Sequence, residues 1–246
     1  MKTVVVLGLV LASCSPVAES APAEIDPASL ALPSARTAEP AIEDLPVVIL
    51  TKTKLVLSGV PRASMDLPIG IESMSGPIIV PLQQWLKEAH LKGDQMAVAI
   101  DSAATSELAM EIMATCMDAG FSSFHVAVSQ AGTTAQIPLS FGKPDPPNAQ
   151  WLSASVFAGG VVLKVAGGTL APGCDGLANG VAVSRIDGII DRDALTRCVS
   201  RAHKDYKTNA ASVTVTKKTP FLEVVTLLDA MRGEAETSAI TLGISG

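Results

Sequence analysis

The chain has 246 residues, enough for one large domain or two small ones, and its 48% hydrophobic content leaves ample material for a core. Aromatics make up only 3%, so that core must come mainly from Val, Leu, Ile, Ala and Met. A net charge of −6 without any Lys/Arg block argues against a nucleic-acid partner.

The chain begins MKTVVVLGLVLASC. Lys2 supplies a short positive end, and Val4 to Leu11 is too short for a stable membrane span but suits the core of a signal peptide. Leu11-Ala12-Ser13-Cys14 resembles the lipobox of bacterial lipoproteins. The resemblance implies cleavage after residue 13 and lipid on the Cys14 thiol; the alternative is an ordinary signal peptide with a chance cysteine. Ser15 follows the cysteine. It lacks the acidic character that would imply inner-membrane retention, so the expected location is the periplasm, with the lipid anchor in the outer membrane.

Residues 14–45 are rich in Pro, Ala and acids, with no apolar period. Such a segment cannot offset its ordering entropy by burial, and is expected to be a mobile linker. About thirty residues at roughly 3 Å each would reach up to about 90 Å.

Beyond the linker, one pattern recurs. Residues 47–58, VVILTKTKLVLS, read as two short strands around a Thr-Lys turn. Leu82, Trp85, Leu86 and Ala89 then form a helical stripe. A strand follows at 96–100, then a helix whose buried stripe is Leu108, Ile112 and Cys116, then a strand at 124–128. The Gly- and Pro-bearing stretch 131–150 marks a boundary. Residues 155–166 again read as two strands, around Ala158-Gly159-Gly160. The stripe Leu195, Cys198, Val199 and Ala202 follows, then a strand at 212–216. A helix with Phe221, Val224, Val225 and Leu228 inward and a strand at 240–244 complete the series.

The order is strand, strand, helix, strand, helix, strand, twice over. It predicts an α+β chain of two tandem small domains, 46–130 and 151–246. In each, helices pack on one face of a mixed sheet.

The stretch VTVTKKTPFLEVVTLLDAMR, 213–232, carries a family likeness. Its charged strand end, Pro220-Phe221, Val224-Val225 and Leu228-Asp229-Ala230 resemble the periplasmic domain of the ExbD/TolR family of biopolymer-transport proteins. The first copy keeps the strand-end Asp101 and Ala119-Gly120, with Thr105 where the second has Pro220. Proline suits a first helical turn, where its missing N–H costs nothing. Members of that family begin with a transmembrane helix whose Asp takes part in proton-driven energy transfer. This sequence shows no such helix. The resemblance therefore implies a periplasmic module without the motor segment, non-catalytic, that binds or couples to an envelope transport or motor complex or to peptidoglycan. It also implies that two copies in one chain could reproduce the dimer that family members form from two chains. A hydrolase on a diverged fold and a passive membrane-to-wall spacer are the alternatives.

Cys116, Cys174 and Cys198 remain. An exported location permits disulfides. A Cys174–Cys198 bond would pin the insertion APGCDGLANG, found only in the second copy, to the following helix; the alternative is two unpaired thiols. Cys116 falls on a buried stripe and is expected to be a free core thiol. His90, His125 and His203 show no metal-ligand spacing, so neither a metal nor a cofactor is expected. His90 and His203 read as polar residues near helix C-termini, and Asp191 and Asp193 as helix-start residues. No nucleophile elbow, phosphate loop or dinucleotide fingerprint is present.

Overall fold

The computed structural model describes residues 30–140, 148–232 and 240–245. In chain order the first half holds β1 (Glu39–Pro40), β2 (Val47–Leu50), β3 (Lys54–Leu57) and β4 (Ser64–Asp66). A small hairpin of β5 (Met74–Ser75) and β6 (Ile78–Ile79) leads into α1 (Val80–Glu88). Then come β7 (Gln95–Ile100), α2 (Ser106–Asp118), β8 (Ser123–Gln130) and β9 (Thr133–Ser140). The second half holds β10 (Trp151–Phe157), β11 (Gly160–Val165), β12 (Gly168–Thr169), β13 (Val183–Ile186) and β14 (Ile189–Ile190). It ends with α3 (Arg192–Tyr206), β15 (Ala210–Thr216), α4 (Phe221–Arg232) and β16 (Ile240–Ser245).

The architecture is mixed α+β, and both sheets share one internal order. In the first, β3–β2–β7–β8 are neighbours; in the second, β11–β10–β15–β16. Each unit pairs its first two strands antiparallel and the rest parallel. Both helical crossovers of a unit step the same way across their sheet. The two helices of each unit pack side by side, α1 against α2 and α3 against α4.

The helical stripes face inward because their period matches the helix turn. Leu82 and Leu86 of α1 are buried, while Trp85 and Ala89 are only partly so. Ile112 and Cys116 of α2 are buried, with Leu108 at the margin. All four stripe residues of α3 are buried, as are those of α4. These side chains join Phe124, Val126 and Val128 of β8 and Leu152, Ala154 and Val156 of β10 in one apolar cluster that runs through both halves. Beside it, β13 lies close against β11. A Cβ on Gly160 would sit 2.2 Å from the Val183 carbonyl oxygen, so only glycine allows the approach.

Two stretches expected to be linkers hold ordered structure, and short strands not expected from the sequence, β4–β6 and β12–β14, precede α1 and α3. Within 131–150, expected to be a linker, residues 133–140 form a full strand. Ala135, Ile137 and Leu139 alternate inward there, and β9 pairs with β8 along its whole length. Within 14–45, also expected to be a linker, residues 31–40 lie fixed against the body. Their backbone is hydrogen-bonded, which supplies the stabilisation that their low apolar content does not. Residues 1–29, with the proposed signal peptide and Cys14, lie outside the described residues.

Candidate functional site

The two halves meet where α2 and α4 begin. The first N–H groups of a helix have no partner within it. Here each helix finds its partners in the strand-to-helix loop of the other half. Ser106 N–H donates to the Thr219 carbonyl (2.9 Å) and Phe221 N–H to the Ala104 carbonyl (2.8 Å). Glu107 N–H donates to the Lys217 carbonyl (3.1 Å) and Leu222 N–H to the Ser102 carbonyl (3.0 Å). Each bond has its mate 115 positions along the chain, as from Ser106 to Phe221. Between them Thr105 and Pro220 form an isolated antiparallel bridge. The contact is self-complementary in the manner of a twofold dimer, but within one chain. The buried Ser106 hydroxyl adds a further bond to the Thr216 carbonyl (2.6 Å).

Beside this junction, on the first half, opens a cleft of about 630 Å³. Leu67, Pro68, Ile69, Ile71 and Met74 form one wall, and the first turns of α2 form the other. Ile71 is 90% exposed at the mouth of this wall. The polar groups are Lys52 on the β2–β3 turn and Glu107 and Glu111 on α2, one helical turn apart. Lys217 of the second half pairs with Glu107 (2.9 Å). Burial, and then the charge of Glu107, push the Glu111 carboxyl up from its usual range, against the pull of Lys217. A smaller pocket of about 190 Å³ adjoins it, sharing Lys52, Leu67 and Leu108 and reaching Asp101. The lining of the larger cleft includes no Ser, Cys or His beside either carboxylate. It combines an apolar wall with charges of both signs at the rim.

Two buried carboxylates hold the segment that crosses the body ahead of β2. Asp101, at the end of β7, accepts from Ala31 N–H (2.9 Å) and Ala103 N–H (3.0 Å). Asp229, on α4, accepts from Arg36 N–H (2.9 Å), Thr37 N–H (2.7 Å) and the Thr37 hydroxyl (2.8 Å), and pairs with Arg192. Burial raises the Asp229 carboxyl, but the bonds from Arg192, Thr37 and Arg36 outweigh it and hold the group below its usual range.

The residues singled out in the sequence scatter. Cys174 and Cys198 are joined in a disulfide with Cα atoms 5.4 Å apart, which ties the insertion to α3. Cys116 is a buried free thiol whose pKa burial pushes up to about 12, so it is protonated and inert. His90 lies exposed just past α1, and His203 stands in the last turn of α3 against the Thr208 carbonyl (3.0 Å). His125 is buried on β8, its Nδ1 without a hydrogen-bond partner among the described residues. Asp191 caps α3 by accepting from Ala194 N–H (2.9 Å), and Asp193 pairs with Arg36. Among the described residues no group of three or more His, Cys, Asp or Glu is placed to hold a metal ion. No described helix is long and apolar enough to cross a membrane.

Sequence reasoning missed the cleft, because its wall comes from the irregular stretch between β4 and α1, which has no period to read. It also missed the partner of Asp229, although that aspartate stood within the family-like motif. Compared with known proteins, the chain matches no family model and no curated protein.

Proposed function

We propose that the chain is a non-catalytic binding or coupling module of the bacterial cell envelope, similar to the periplasmic part of ExbD/TolR biopolymer transporters. Its anchor is a lipid on Cys14, its compartment the periplasm, and its membrane the outer one. Its partners are subunits of a proton-driven transport or motor complex, or peptidoglycan. The observation that carries this reading is the reciprocal junction of α2 and α4, where the loop of each half accepts from the first N–H groups of the other half's helix. Such an arrangement suits an adaptor that presents one rigid body. The cleft between Ile71 and Glu111 is the surface on that body best shaped to receive a ligand.

The test is affinity capture of the tagged chain from chemically crosslinked cells. Motor or transporter subunits, or wall fragments, recovered with the wild type and reduced by Ile71→Asp support the reading. Recovery of neither, or turnover of wall polymer by the purified chain, contradicts it.

A further inference from the structure

We propose that residues 31–40 form a releasable latch. This strap joins both halves and comes away while the sheets stay folded. On the first half it meets Asp101 through Ala31, and Ser129 through Ala35 N–H (3.0 Å) and the Pro33 carbonyl (2.9 Å). Gln130 donates to the Arg36 carbonyl (2.7 Å). On the second half it meets Asp229 through Arg36 and Thr37, Asp193 through the Arg36 guanidinium, and Arg232 through Glu39. One short segment thus crosses from β7 and β8 of one unit to α3 and α4 of the other.

The strap is held by polar contacts. Of residues 31–40 only Pro33 and Ala35 are buried, both small. Its strand pairing with β9 covers two residues. A segment with so little apolar burial sits at the low end of local opening free energies, whereas β15, buried on alternate positions and paired on both sides, sits near the high end. Its specificity comes from Asp229, which takes three strap donors at once and keeps Arg192 when the strap leaves. Asp229 is therefore not stranded as an unpaired buried charge, the penalty that would otherwise forbid release.

Hydrogen–deuterium exchange on the whole chain, read at single amides, tests this. The amides of Ala31, Ala35, Arg36 and Thr37 are expected to exchange at least about 100-fold faster than those of Val213 and Val215. Thr37→Ala removes the hydroxyl bonds and is expected to speed the strap about tenfold further, leaving β15 unchanged. Strap and β15 amides exchanging at one common rate in the wild type would overturn the proposal. So would an equal rise at β15 in the variant.

Discussion

His125 and Asp229 are buried titratable groups whose pKa values the fold shifts, and they respond to acid in different ranges. His125 sits on β8 with burial lowering its pKa, opposed by the charge of Glu39. The folded protein prefers the neutral ring. Stability from this preference is complete above the unfolded value of about 6.5 and falls as pH drops below it. Asp229 is the opposite type of group, held below the usual carboxylate range. Its contribution is complete above about 3.9 and is lost as pH falls through its folded value. Between pH 7.5 and 5.5 the contribution of His125 is expected to register. The melting temperature of the wild type is expected to fall across that interval, and that of His125→Gln to fall by less, as thermal unfolding followed by circular dichroism would show. An equal fall in both would assign the pH dependence elsewhere.

At the scale of elements, the disulfide has a defined task. It closes a separation of 24 residues between the 171–180 insertion and α3, where Cys198 is otherwise an ordinary member of the buried stripe. Replacing both cysteines by alanine is expected to cost about 3 kcal/mol, measured as a lower urea midpoint relative to the oxidised wild type. The main strands and helices of both halves were legible because their burial follows a clean period. Leu195, Cys198, Val199 and Ala202 recur at helical spacing, and Met96, Val98 and Ile100 alternate inward along β7. The strand β9 carried the same signal in Ala135, Ile137 and Leu139, but Gly132 and Pro138 gave it the look of a boundary. The strap could not be read at all. Its order comes from Asp101 and Asp229, 70 and 193 positions away from the amides they hold. Long-range side-chain bonds to backbone leave no trace in local composition.

The whole molecule is two halves of like strand order, joined by contacts that each half makes on the other. Ser106 and Phe221, at equivalent positions, have their N–H groups satisfied only across the junction, and the apolar cluster continues through it. Separating the halves would expose core surface and leave the first N–H groups of α2 and α4 without partners, so neither half is expected to melt alone. The matching order of elements in the two halves was visible in the sequence. The junction was not, since Thr105 and Pro220 share no residue type that would announce a pairing.

Scanning calorimetry of the whole chain tests this account most directly. It predicts one transition whose calorimetric and van't Hoff enthalpies agree, shifted as a unit by Ser106→Val at the junction. Two resolved transitions, with Ser106→Val moving only the one that belongs to the first half, would contradict it.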